Sequence, residues 1–253
     1  MFCYQCQETA GGKGCTKAGV CGKTSDVAAM QDLLLFVAKG ISTYMVHAGE
    51  PKNNTLDIST AFAAADKFVV ESLFITLTNV NFDRDVIVQK INEGLQLKAI
   101  LKNELLNAKT DLSGLPEAAA WAAANEQELE SKAQQVGVLA TGNEDIRSLR
   151  EMITYGLKGM AAYYHHAAIL GYTDPEVTQF IHKALAATLD DTLTTDELVA
   201  LVMETGKYGV TTLALLDKAN TSVYGTPELS SVNIGVGKKP GILISGHDLK
   251  DLE

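Results

Sequence analysis

The residues of this 253-residue chain best suited to chemistry are its cysteines, and all of them, Cys3, Cys6, Cys15 and Cys21, fall within the first 21 positions. Random placement would crowd them this closely with a probability of roughly 5 × 10⁻⁵, so the thiols must act together. Cys-x2-Cys, then x8-Cys and x5-Cys, is threaded with Gly11, Gly12, Gly14, Gly19 and Gly22. Glycines let a backbone wrap tightly around a common centre. Four thiolates suit either tetrahedral zinc or an iron–sulfur cluster. Zinc sites more often come as two short Cys-x2-4-Cys knuckles with a longer spacer, so the pattern here leans toward iron–sulfur. Disulfides would imply export, yet Met1 runs straight into Phe2 and Cys3 with neither a basic n-region nor an apolar h-region. A metal held from residue 3 onward would also pin an N-terminus that otherwise frays.

Few other side chains compete. His247 follows an apolar run, Gly241 to Gly246, at the place where α/β folds put ligands. His165 and His166 sit together in a helical stretch, but neighbours on a helix point about 100° apart and do not chelate together, so packing accounts for them better. His47 and His182 read as helix-surface or interface residues. Asp190-Asp191 and the pair Asp248 and Asp251 read as helix-terminal or solvated charges. Gly235-Val-Gly237 precedes a strand and so fails the context of a dinucleotide fingerprint. No phosphate loop and no Ser-His-Asp order stands out.

The elements that must position these residues are mostly helical. With 46% hydrophobic and 21% charged residues the chain is an ordinary globular protein. Its net charge of −10 and pI near 5.0 argue against nucleic acid or an anionic membrane as a partner. No run of 18 apolar residues occurs, so no membrane span is expected, and the expected compartment is the cytoplasm. Apolar residues at three-to-four spacing predict helices from Ser25 to about His47, from about Asp57 through Leu73, and from Asp83 through Leu105. Ser113 with Pro116, Asn143, Asp174-Pro175, and Thr194 or Thr195 mark four further helix starts. The alanine-rich Ala118 to Ala124 reads as good helix former.

The expected fold class is therefore mainly α. A cysteine-rich cluster loop (residues 1–24) precedes a helical domain (25–220) of two helical bundles divided near 110–143. After Asn220 the pattern changes. Val232 to Val236 reads as a short strand, Lys238-Lys239-Pro240 as a turn, and Gly241 to Gly246 as a buried strand leading into a helix at His247. Residues 221–253 then form the start of a truncated α/β (Rossmann-like) domain, since a parallel strand needs neighbours.

Several blocks carry a family resemblance. Met-Phe-Cys3-Tyr-Gln-Cys6-Gln-Glu-Thr, Gly14-Cys15-Thr, Val20-Cys21-Gly-Lys and Gln31-Asp-Leu-Leu closely resemble the N-terminus of the hybrid cluster proteins, also called prismane proteins or hydroxylamine reductases. The blocks from Thr76 to Asp83, from Tyr155 to Tyr163 and from Gly241 to Asp251 look like family blocks in the family's order.

The resemblance implies a helical N-terminal domain ahead of two α/β domains. It also implies an oxidoreductase that reduces hydroxylamine to ammonia and water, with nitric oxide as an additional substrate and an electron-donor protein as partner. By the same match Cys3, Cys6, Cys15 and Cys21 are ligands of a [4Fe–4S] cubane through which electrons enter. His247 matches the family's histidine ligand to a hybrid [4Fe–2O–2S] cluster and so belongs to the catalytic centre. That cluster's other ligands, glutamates and cysteines, lie beyond Glu253 in the family chain, so these residues alone are expected to be inactive. The alternatives are a non-catalytic iron–sulfur electron-transfer module and a zinc-bound structural helical domain. Carbon monoxide dehydrogenases share the architecture, but the N-terminal motif fits them less well.

Overall fold

A computed structural model describes residues 1–49, 56–232 and 234–242. Among them the chain forms a cysteine-bearing N-terminal loop and eight α-helices: α1 (Ser25–Ala48), α2 (Leu56–Ile75), α3 (Arg84–Asn107), α4 (Glu117–Ala120), α5 (Glu126–Ala133), α6 (Glu144–Ile169), α7 (Pro175–Ala187) and α8 (Thr195–Tyr224). The mainly α architecture is as the hydrophobic spacing predicts.

Most helices start where a side chain can satisfy the free N–H groups of the first turn. Asp83 accepts from the amides of Asp85 and Val86 to open α3, and Asn143 accepts from Asp145 and Ile146 to open α6. Asp174 caps α7, with Pro175 in the first turn, where its missing N–H costs nothing. Thr194 and Glu197 form a reciprocal capping box at α8.

The apolar faces of these helices meet in one core. Leu33, Leu34 and Ile41 of α1 are fully buried with Phe68 and Leu73 of α2, Ile87 and Ile91 of α3, Ile153 and Leu157 of α6, and Ile181 of α7. Helix α1 packs on α2, α3 and α7, α2 packs on α6, and α6 lies along α8. Helices from both sides of residues 110–143 thus share apolar contacts. At the crossing of α1 and α4 the backbones nearly touch: a Cβ on Gly40 would overlap the Ala118 carbonyl.

The alanine-rich segment departs from its propensity. Helix α4 stops at Ala120, and 121–124 are not helical, although Ala118 to Ala124 reads as helix. A buried lysine accounts for the stop. Lys98 of α3 donates from Nζ to the carbonyls of Ala118 at 2.8 Å and Trp121 at 2.5 Å, taking acceptors that a longer helix would use for its own ladder. Trp121 then turns inward, its ring edge-on to Phe36 at 5.9 Å.

After Tyr224 the expected strand at Val232 to Val236 is not formed by the residues described there. Val232, Ile234 and Val236 are exposed and make no ladder. A strand is held by hydrogen bonds to a neighbour, and among the described residues none lies beside it. Asn233, most of the strand expected from Gly241 to Gly246, and His247 with Asp248 lie outside the described residues.

Helix α8 qualifies the expectation that nothing spans a membrane. By length and composition alone it is long and apolar enough to cross one, with 22% of that stretch buried. Val199, Met203, Val210 and Leu213 give it an exposed apolar face.

Candidate metal centre

The cysteine loop is built around a backbone pairing. Cys3 and Cys15 face each other as an isolated antiparallel bridge, the Cys3 N–H donating to the Cys15 carbonyl at 3.1 Å and the Cys15 N–H to the Cys3 carbonyl at 2.8 Å. Between them the chain makes a 3-10 turn at Ala10–Gly12, in which Gly11 and Gly12 both take left-handed φ values of 62° and 66°. Two consecutive left-handed residues are strained for anything but glycine. Further on, a Cβ at Gly19 would stand 2.8 Å from the Cys21 sulfur, so this glycine keeps space beside that thiol.

The four thiols are unequal. Cys15 is buried at 4% exposure, Cys3 and Cys6 are half-buried, and Cys21 is exposed. The Ala10 amide approaches the Cys15 sulfur at 3.5 Å. Backbone N–H groups of Ala10 and Val20 hold the Cys15 thiol below its ordinary pKa, which favours the thiolate a metal needs. Cys6 lies 4.0 Å from the Thr9 hydroxyl, which donates to the Cys6 carbonyl at 2.6 Å.

This donor set fits an iron–sulfur cluster. It supplies four sulfurs on one short loop, with backbone amides directed at one of them, and such N–H···S contacts are among the means by which proteins tune these clusters. Among the described residues no three His, Cys, Asp or Glu side chains form a group that could hold a single metal ion.

Beneath the loop lies a charged floor that the cysteine spacing does not reveal. A small cavity of about 30 Å³ is bounded by Cys3 and Gln5 on the loop, Lys23 at its end, Gln31 and Asp32 on α1, and Glu151, Tyr155 and Lys158 on α6. Lys158 is buried and donates to Gln5 Oε1 at 3.0 Å and to the Thr76 carbonyl at 2.9 Å. Lys23, also buried, donates to Gln31 Oε1 at 2.6 Å, and the Gln31 amide donates on to the Asn81 carbonyl at 2.8 Å. Aromatic contacts complete the seating: Phe2 lies 5.3 Å from Tyr4, and Tyr4 meets Tyr155 edge-on at 5.9 Å.

Burial shifts the titration of this floor. Asp32 keeps some accessible area, yet it sits deep under the loop. Desolvation raises its pKa to about 7 against the pull of nearby Lys158. Desolvation lowers Lys158 to about 8, with Asp32 opposing. Tyr155 is raised by burial and by Glu151. Sequence reading had one signal for these groups: a Lys and an Asp inside otherwise apolar helical faces.

The histidines take the structural places expected of them. His165 and His166 pack against the Phe74 ring at 4.9 and 5.8 Å, as the packing reading predicts. His182 takes the interface alternative, between α7, α1 and α2. At 3% exposure it lies between the Ser42 hydroxyl, 3.0 Å from Nδ1, and Asp66 Oδ1, 2.8 Å from Nε2. No Ser-His-Asp order is visible in the sequence because the three come from α1, α7 and α2. The arrangement is structural: Ser42 is fully buried and cannot reach a substrate. His47 bonds the Asp111 carbonyl.

Comparisons with known proteins agree with this picture. A family model described as the Prismane/CO dehydrogenase family matches residues 1–253. The chain is 54% identical over 277 aligned residues to a protein named hydroxylamine reductase from Clostridium tetani (strain Massachusetts / E88), covering 100% of this chain and 47% of that protein. A protein of the same name from Clostridium botulinum (strain Loch Maree / Type A3) is also 54% identical, with the same coverage. One from Thermoanaerobacter pseudethanolicus (strain ATCC 33223 / 39E) is 55% identical over 253 residues, 100% of this chain and 45% of that protein. The chain spans about half the length of the curated relatives it matches.

Proposed function

Because the chain belongs to the Prismane/CO dehydrogenase family, we propose that it is the cluster-bearing helical portion of an iron–sulfur oxidoreductase that reduces hydroxylamine to ammonia and water, with nitric oxide as an additional substrate. The observation that carries this reading is the four-cysteine loop, seated on a helical body and embedded in a whole-chain match to proteins named hydroxylamine reductase. Cys3, Cys6, Cys15 and Cys21 would hold a [4Fe–4S] cubane, and His247 would supply one ligand to a hybrid [4Fe–2O–2S] cluster. When bound, these groups supply one-electron transfer and open iron coordination for the N–O substrate.

The chain's own residues prepare the first of these sites. The Cys3–Cys15 pairing fixes two ligand positions, and the Ala10 and Val20 amides favour the Cys15 thiolate. Exposed Cys21 marks the side from which an electron-donor protein would approach. Lys158, through Gln5 and Thr76, anchors the opposite side of the loop to α6. For His247, Asp248 is the nearest carboxylate in sequence and would orient the imidazole or cap the following helix. A single imidazole cannot retain a multi-iron cluster, so turnover requires the remaining ligands, and residues 1–253 alone would bind the cubane without catalysing. The net charge of −10 fits a cytoplasmic protein with small-molecule and protein partners and no nucleic acid.

The test is anaerobic purification with iron and sulfide quantification and electron paramagnetic resonance after dithionite reduction. About four irons and four sulfides per chain with a reduced-cubane signal support the reading. Zinc without sulfide would replace it with a structural site.

A further inference from the structure

We infer that Lys158 is a positioning residue for the N-terminal cluster, clamping the cysteine loop to the helical body and setting the cluster's reduction potential through its charge. The inference rests on the proposed iron–sulfur reading and goes beyond it by assigning roles to residues that ligate nothing.

Three observations support it. Lys158 is a buried cation under the loop, at 5% exposure, and its ammonium bridges the loop to the body by bonding Gln5 Oε1 and the Thr76 carbonyl. It lines the same cavity as Cys3. The groups that face it come from every element packed there: Gln5 and Lys23 from the loop, Asp32 from α1, Glu151 and Tyr155 from α6, and the Thr76 carbonyl after α2.

The electrostatics follow from this placement. Reducing a cluster held by four thiolates adds one negative charge to a group already negative, and the electron comes from a low-potential one-electron donor. A buried cation beside Cys3 stabilises that added charge far better than an exposed one, because the surroundings screen it little. A half-buried carboxylate at the same wall does the opposite. Glu151, which bounds the cavity from two helical turns before Lys158 on α6, should therefore push the potential down where Lys158 pushes it up.

The experiment is a potentiometric titration, followed by electron paramagnetic resonance, of the anaerobically purified protein and of Lys158→Met, Lys158→Arg and Glu151→Gln, with iron and sulfide measured in each. Lys158→Met should be harder to reduce by about tenfold in equilibrium constant, which is 59 mV for a one-electron couple. Glu151→Gln should be easier to reduce by a similar factor, and Lys158→Arg should stay within threefold of the unsubstituted protein. If Lys158→Met does not load a cluster, Lys158→Gln, which keeps a hydrogen-bond donor without the charge, takes its place and should be harder to reduce by a similar factor. A residue that only braced the fold would not produce shifts of opposite sign. Loaded clusters whose midpoints are unmoved, or move together, overturn this inference alone. An unsubstituted protein without iron and sulfide overturns the iron–sulfur reading as well.

Discussion

Gly40 lies against Ala118 so closely that the α1 backbone at that point leaves no room for even a methyl group before the carbonyl oxygen of α4. The obstacle is backbone, which cannot swing aside as a flexible side chain would. Gly40→Ala should therefore destabilise the fold by about 2–3 kcal/mol despite alanine's better helix propensity. Urea denaturation of the two proteins measures the difference. A variant equal to or more stable than the parent would show that the two helices can separate freely.

Lys98 should give stability a distinct pH dependence. Desolvation lowers its pKa from 10.5 to about 8 in the folded chain. Between those values the unfolded chain binds more protons than the folded one, so stability rises as pH climbs from about 8 to 10.5. Below pH 8 the folded state bears the full cost of the buried charge, on the order of 3 kcal/mol. Lys98→Met should remove that rise. Denaturation midpoints across this range should show a slope difference between the two proteins, and parallel curves would contradict it.

The Ser42, His182 and Asp66 chain should matter for folding and not for chemistry. His182→Ala leaves the buried Ser42 hydroxyl without its partner and a cavity, at a cost of about 2–4 kcal/mol. Ser42→Ala should cost about 1 kcal/mol. Both variants should keep the iron and sulfide content of the parent. A loss of cluster in Ser42→Ala at unchanged stability would argue against a purely structural role.

Chelation should loosen the N-terminus and spare the body. Apart from a metal, the loop is tied down by the Cys3–Cys15 bridge, the Lys158 and Lys23 bonds and a few rings. Limited proteolysis of metal-depleted protein should therefore cut within residues 1–23 while α1 to α8 survive. Early cleavage inside α3 or α6 would show that the metal supports the whole fold.

Local signals carried most of the helical architecture. Asp83, Asn143, Asp174 and Thr194 are polar residues placed just ahead of apolar periodic stretches, and each caps its helix with its own side chain. The cysteine cluster was legible because its members are close in sequence. What escaped reading depends on residues far apart in the chain. Lys98 ends α4 from twenty residues away, and nothing within Ala118 to Ala124 announces it. His182 meets Ser42 and Asp66 only after three helices pack, and the Lys158 floor forms only when α6 comes to rest under the loop. The strand expected at Val232 to Val236 reads correctly as apolar, but composition cannot supply the neighbour that a ladder requires.

The pairing of Cys3 with Cys15 bears on how the centre assembles. Its two backbone hydrogen bonds close the segment from Tyr4 to Gly14 into a ring without help from iron. Much of the chain entropy of gathering the ligands is thus lost during folding, and the arriving inorganic core has less disorder left to overcome. If the loop holds the proposed cluster, insertion would be the docking of a cofactor onto a partly prepared template.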